Sequence, residues 1–136
     1  MSEHPCPTRA QIEHIALATD DILVLRDFYL LLGTAAVPPS ADREIDLRGC
    51  ALDFCGVRLE LFERRRGHRD ATGDSRSAGL LHLGFALESA DAVDELSRVL
   101  AAAGHVVLEP PHRIGALGRY ECLVRDPDGN RVKLIV

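Results

Sequence analysis

Apolar and polar residues alternate in residues 80–87, and this alternation predicts a β-strand. Successive side chains of a strand point to opposite faces, so His82 faces away from the apolar side of this strand. Residues 88–104 then carry apolar positions at helical spacing, with Ser89 as the N-cap and Gly104 as the glycine that ends the helix. The stretch therefore predicts a strand followed by a helix that covers the apolar face of the strand.

The same pattern occurs about 68 residues earlier in the chain. Residues 12–19 predict a strand in which His14 lies opposite the apolar face, and Asp20 or Asp21 then caps a helix that ends at Gly33. Because a repeat on the scale of half a chain is a sign of duplicated structure, the sequence predicts two copies of one unit.

Each half continues with further predicted strands. In the first half, residues 34–40 contain Pro38 and Pro39 and predict an irregular or edge conformation. Three strand candidates follow it, at residues 43–47, 50–54 and 57–62. In the second half, strands are predicted at residues 105–109, 119–125 and 131–136, with a mobile glycine-containing loop at 110–118 and a hairpin turn at 126–130. The prediction is an α+β fold of two β-α-β-β-β modules.

These elements predict a single domain over residues 11–136. Its parts are module one at about 11–63, a polar linker at about 64–79 and module two at about 80–136, preceded by a flexible N-terminus at 1–10. The chain has 136 residues and a formal net charge of −5, which gives no electrostatic basis for binding nucleic acid. No apolar run is long enough for a membrane span, and no signal peptide is visible, so the protein is expected to be cytoplasmic. The four cysteines include no Cys-x-x-Cys pair and are expected to be free thiols.

Four polar residues are predicted on the strand faces opposite the helices. Superposing the two halves aligns Glu60 with Lys133, each between apolar neighbours, in the same way that His14 aligns with His82. The result is a pseudo-twofold arrangement of polar side chains around one cavity.

At this point the sequence resembles the vicinal oxygen chelate superfamily of glyoxalases, bleomycin-resistance proteins and extradiol dioxygenases. Four segments carry the resemblance: Ile12-Glu-His-Ile-Ala-Leu17, Phe28-Tyr-x-x-Leu-Leu-Gly33, Leu80-Leu-His-Leu-Gly-Phe85 and Asp126-Pro-Asp-Gly-Asn-Arg-Val-x-Leu134. The resemblance implies that the two modules form a U-shaped, mixed-sheet half-barrel around a divalent metal (Ni, Zn, Mn or Fe). It also implies a homodimer. Glyoxalase-like members hold the metal with the set His, Glu, His and Glu, and the first three positions match His14, Glu60 and His82 here.

Lys133 occupies the position of the fourth ligand. An ammonium group cannot ligate a metal, and a nearby dication repels it. The resemblance also implies a proton-abstracting glutamate at this position, so Lys133 argues against a true lactoylglutathione lyase. Extradiol dioxygenases and fosfomycin-resistance transferases also take a carboxylate ligand from this strand.

Three hypotheses remain open at this stage. In the first, the protein is a metal-dependent, glyoxalase-like enzyme in which His14, Glu60 and His82 hold the ion. The metal would activate a small anionic, oxygen-bearing substrate as a Lewis acid, and Lys133 would bind the substrate or act as a base. In the second, Lys133 pairs with Glu60 in place of a metal, and the cavity sequesters a small molecule. In the third, the pocket is degenerate and the protein is a dimerising scaffold.

Further residues are predicted to contact the substrate. Arg58 and Phe62 share the strand face of Glu60, and Arg131 shares that of Lys133. On the neighbouring strand either Tyr120 or Glu121 lines the cavity, and Tyr120 is assigned to substrate binding with the other three. The candidate catalytic residues are Glu60 and Lys133.

Overall fold

The computed structural model describes residues 10–33, 35–37, 49–64, 78–116 and 118–136. The first half contains β1 (His14–Thr19), α1 (Ile22–Leu30), β2 (Ala35–Val37), β3 (Gly49–Phe54) and β4 (Val57–Glu63). The second half contains β5 (Leu83–Ala86), α2 (Ala90–Ala102), β6 (Val106–Ile114), β7 (Arg119–Arg125) and β8 (Arg131–Ile135). The predicted α+β fold of two β-α-β-β-β modules is therefore confirmed.

Each module contributes one four-stranded mixed sheet. The strand orders are β1-β4-β3-β2 and β5-β8-β7-β6. In each sheet the first strand pairs in parallel with the fourth, and the remaining neighbours are antiparallel. Among the strands that the structure describes, β1 and β5 each lie at the edge of their sheet.

Both helices begin at predicted caps, and α2 ends just before Gly104 as predicted, whereas α1 already ends at Leu30, before the predicted Gly33. The Asp21 carboxylate accepts a hydrogen bond from the Val24 backbone N–H at 3.2 Å, and the Ser89 hydroxyl accepts one from the Ala92 N–H at 3.1 Å. These caps satisfy backbone donors that a helix start leaves unpaired. After α2, Gly104 takes a positive φ of 90°, a conformation that favours glycine at the end of a helix.

The hydrophobic core lies between each helix and one face of its sheet. In module one it includes Leu17, Leu59 and Leu61 beneath α1, whose inner side buries Leu25, Phe28 and Tyr29. In module two it includes Cys122, Val124, Val132 and Leu134 beneath Val93 and Leu100 of α2. Because side chains alternate along a strand, the other face of each sheet carries the polar residues. Cys55 and Cys122 are free thiols, as predicted, and Cys6 lies outside the described residues.

A buried hydrogen bond joins the two modules. The Tyr29 hydroxyl of α1 donates to the Asp126 carboxylate in the β7–β8 turn, with 2.7 Å between the oxygens. Asp126 also accepts from the backbone N–H groups of Asp128 and Asn130 and from the Asn130 side-chain amide. Burial, and then the Asp126 charge, raise the pKa of Tyr29, so its hydroxyl stays protonated as the donor.

The stretch predicted to be irregular or at an edge contains β2, a short strand that pairs with β3 at the edge of its sheet, which agrees with the second of these alternatives. Two other details differ from the sequence predictions. The strand predicted at 80–87 is shorter than expected, because β5 forms only over Leu83–Ala86 and leaves His82 outside it. The mobile loop predicted at 110–118 is wrong over 110–114, because β6 continues through Pro110 and Pro111 and pairs with β7 up to Ile114. The strand passes the prolines with two irregularities in register, between Val107 and Glu109 and between Glu109 and His112, and it lies at the sheet edge. Edges and bulges are where strands accept proline.

Other predictions fall on residues that the structure does not describe. They are the strand at 43–47, most of the linker at 64–79 and most of the N-terminal segment at 1–10. None of the described helices is long and apolar enough to span a membrane.

Candidate functional site

His14 and Glu60 lie together on the polar face of module one. They belong to the parallel neighbours β1 and β4, where Ala16 is the direct partner of Glu60. His14 Nε2 lies 3.9 Å from a Glu60 carboxylate oxygen, and the Glu60 side chain is only 13% exposed. The other ring nitrogen of His14 contacts the Glu13 carboxylate. The hydrogen bond to Glu13 and, next, the charge of Glu60 raise the pKa of His14, which favours the imidazolium.

Lys133 and Glu121 form the corresponding pair on module two. Both point away from α2, because the alternate residues on their strands, Cys122 and Leu134, are buried in the core. The Lys133 Nζ lies 3.3 Å from a Glu121 carboxylate oxygen. The two side chains are 28% and 10% exposed, so this ion pair is largely withdrawn from water. Lys133 is therefore partnered by a carboxylate of the neighbouring strand, rather than by Glu60 as the second hypothesis proposed.

His82 directly precedes the edge strand β5 and is half-buried. Among the described residues, no group of three or more His, Cys, Asp or Glu side chains is placed to hold a metal ion. The predicted set of His14, Glu60 and His82 is thus not gathered within this part of the chain. With an ammonium at the fourth position as well, the described residues of one chain do not supply a ligand set that fits a divalent metal.

The predicted contact residue Tyr120 lies on the opposite face of its sheet. Its hydroxyl donates to the Asp94 carboxylate of α2 at 2.5 Å, and this bond raises the pKa of Tyr120. Glu121 is consequently the residue of β7 that shares the face of Lys133. The alternation of buried Cys122 and Val124 on β7 was the available signal, because it places Tyr120 on the helix side.

The remaining predicted contact residues have different surroundings. Two ring carbons of Phe62 lie 2.9 and 3.0 Å from the position that a Cβ on Gly49 would occupy, so this ring packs closely over β3. Arg131 is half-buried at the start of β8, directly opposite Arg125. Arg58 lies near the β3–β4 hairpin, where its backbone N–H donates to the Glu13 carbonyl at 3.0 Å.

Arg58 also lines a cleft of about 620 Å³ where the two modules meet. The cleft is bounded by the β3–β4 hairpin, the start of β1, the end of α1 and the edge strand β5. Its lining is mainly apolar: Ile12, Ile15, Leu32, Phe54, Val57, Leu59, Leu83, Phe85 and Leu87. Sequence reasoning missed this cleft, because its apolar residues have the pattern of an ordinary core.

Comparison with known proteins agrees with this fold. The model of the Glyoxalase/Bleomycin resistance protein/Dioxygenase superfamily matches residues 11–134. A glyoxylase/bleomycin resistance protein/dioxygenase domain from Frankia sp. EAN1pec superposes with a TM-score of 0.78 at 21% identity, covering 95% of this chain and 98% of that one. A lactoylglutathione lyase from Agrobacterium tumefaciens gives a TM-score of 0.66 at 24% identity, covering 96% and 95%. At these identities the structural likeness shows the fold alone.

One curated relative matches over a shorter stretch. The uncharacterized protein PA2024 of Pseudomonas aeruginosa is 47% identical over 55 residues, which are 38% of this chain and 36% of that protein. The match thus spans about a third of the relative. The superfamily match, in contrast, extends over nearly the whole chain, and the two β-α-β-β-β modules agree with it. The chain belongs to the Glyoxalase/Bleomycin resistance protein/Dioxygenase superfamily.

Proposed function

We propose that the protein binds a small, anionic, oxygen-bearing molecule on the polar face of module two, and that it does so without a metal. The observation that carries this proposal is the Lys133–Glu121 pair at 3.3 Å. In this proposal the Lys133 ammonium supplies the positive charge that a divalent ion supplies in metal-dependent members of the family. This function corresponds to a small-molecule binding or sequestering protein.

The chemistry of the pair supports an anionic ligand. An ammonium group has three N–H donors, and the contact with Glu121 engages one of them, so donors remain for ligand oxygens. Arg131 lies two residues from Lys133 on the same strand face and adds a second cation.

The second candidate function is the metal-dependent, glyoxalase-like enzyme. The observation that favours it is the His14–Glu60 pair, an imidazole and a carboxylate on adjacent strands with 3.9 Å between their nearest atoms. A third ligand would have to come from elsewhere, and His82 of a second copy is the available source.

A homodimer would supply such a second copy. Among the described strands β1 and β5 lie at sheet edges, and the apolar side chains of Ile12, Leu80 and Leu81 beside them are exposed. A cytoplasmic homodimer stays the predicted form of the protein. Light scattering, which gives the mass of the protein in solution, would test whether it is a dimer.

Metal binding separates the two candidates. Protein purified without chelating tags would be assayed for metal content, and Ni, Zn, Mn and Fe(II) would then be titrated into the metal-free form of the wild type, His14→Ala and Lys133→Glu. We expect no stoichiometric metal in the wild type, and Lys133→Glu tests whether the ammonium alone prevents metal binding. About one metal per chain in the wild type, lost in His14→Ala, would instead establish the metal-dependent candidate.

A further inference from the structure

The cleft between the modules has the properties of a second ligand site. Its volume of about 620 Å³ lies within the range of roughly 300–1,000 Å³ that is typical of small-molecule pockets. It is formed by the hairpin end of β4 and by β5, and neither Lys133 nor Glu121 lines it. We propose that this cleft binds a small amphipathic carboxylate, with the apolar body between the modules and the carboxylate on Arg58.

The state of Arg58 identifies the charged end of the ligand. Its Nε is buried and has no hydrogen-bond partner among the residues that the structure describes. A buried donor without an acceptor is unfavourable, and a guanidinium keeps its charge in proteins, so the group cannot relieve this by losing a proton. Because Nε has no exposed surface, a ligand carboxylate would accept from the two terminal nitrogens, in the two-pronged geometry typical of arginine.

The surroundings of Arg58 fix its place at the cleft. Its backbone is held on both sides, by the hydrogen bond to the Glu13 carbonyl and by pairing with Asp53 on β3. Asp53, the other charged residue of the lining, accepts from the Gly56 backbone N–H at 3.3 Å and so has a role in the hairpin turn. The cleft therefore combines the Arg58 guanidinium and the turn-forming Asp53 with a wall that is otherwise mainly apolar.

The apolar wall identifies the rest of the ligand. The Phe54 and Phe85 rings contact each other across the two modules, with 4.9 Å between their centroids. Aliphatic side chains from β1, β4 and the turn after α1 complete the wall, including Ile15, Leu59 and Leu32. A hydrocarbon body would gain free energy by leaving water for this surface, whereas a small polar anion would gain nothing from it.

Octanoate and 1-octanol are suitable probes, because they share a chain and differ in charge. Binding to the wild type, Arg58→Met, Arg58→Lys and the control Arg98→Met would be measured by titration calorimetry. We expect octanoate to bind the wild type at least about tenfold more tightly than octanol, which corresponds to one charge-assisted hydrogen bond. Arg58→Met should remove this preference, and Arg58→Lys should keep part of it. Arg98→Met should match the wild type, because Arg98 lies on the exposed surface of α2.

Cys55 gives a second, independent measurement. Its thiol is exposed and lines the cleft, whereas Cys122 is buried. Octanoate should slow the alkylation of Cys55 by iodoacetamide in the wild type, and peptide mass spectrometry would measure the rate of this reaction. The test uses only the wild type, so it remains decisive if Arg58→Met fails to fold. Equal affinity for octanoate and octanol, an unchanged preference in folded Arg58→Met, or no protection of Cys55 would overturn the proposal. Because Lys133 is not involved, these results do not depend on the proposed function.

Discussion

The hydrogen bond between Tyr29 and Asp126 should contribute measurably to stability, because it joins the two modules. In Tyr29→Phe the ring remains, together with its edge-to-face contact with Phe28 at 4.9 Å, and only the donor to Asp126 is lost. A hydrogen bond to a charged group contributes about 1.5–3 kcal/mol. Asp126 keeps three other donors, from Asp128 and Asn130, so it does not become an unpaired buried charge. We therefore expect a loss of about 1.5–2 kcal/mol, at the lower end of this range.

Urea unfolding followed by circular dichroism measures this difference as a shift of the midpoint at constant slope. Tyr120→Phe is the matched control, since its hydroxyl also donates to a carboxylate, that of Asp94, but at a partly exposed position. The control should lose less than about 1 kcal/mol. If Tyr29→Phe were within about 0.5 kcal/mol of the wild type, or no worse than Tyr120→Phe, the reasoning about this junction would be refuted.

Two further predictions concern the first module. An NMR titration should show a raised pKa for His14 in the wild type and a pKa closer to the usual value in Glu13→Gln. The stabilisation linked to this shift is fully present below the unfolded-state pKa and is lost as the pH rises through the folded-state pKa. An unshifted pKa of His14 in the wild type would contradict the geometry. Gly49→Ala should lower the free energy of unfolding by about 1–3 kcal/mol in thermal or urea unfolding, because its Cβ would come within 2.9 Å of the Phe62 ring. The control Gly84→Ala should lower it by less than about 0.5 kcal/mol, because its Cβ would meet nothing within 4 Å.

Local patterns were sufficient to predict most of the fold. Asp21 and Ser89 mark helix starts because their side chains bond to backbone groups only two or three residues away. Strand alternation likewise placed His14, Glu60 and Lys133 opposite the helices, since it depends only on the period of a strand. The prolines of β6 misled the same reasoning, because whether a strand tolerates proline depends on its being at an edge.

The partners of the polar residues were harder to predict. Tyr120 and Glu121 are adjacent and both polar, so the choice between them required knowing which face α2 covers. The partner of Lys133 depends on side-chain reach between β7 and β8, which no sequence spacing encodes. The cleft at Arg58 and the position of His82 relative to Glu60 depend on how the two modules pack, and the repeat pattern contains no information about that packing.

The most direct test of the proposed function is oxalate binding to protein treated with EDTA. Oxalate is a small dianion with vicinal oxygens, and calorimetry would compare the wild type with Lys133→Met and the surface control Arg98→Met. Lys133 is the only lysine in the chain, so no other ammonium side chain can replace it. The proposal predicts that the metal-free wild type and Arg98→Met bind oxalate and that Lys133→Met binds at least about tenfold more weakly. Equal binding by Lys133→Met, or wild-type binding that appears only when a divalent metal is added, would contradict it.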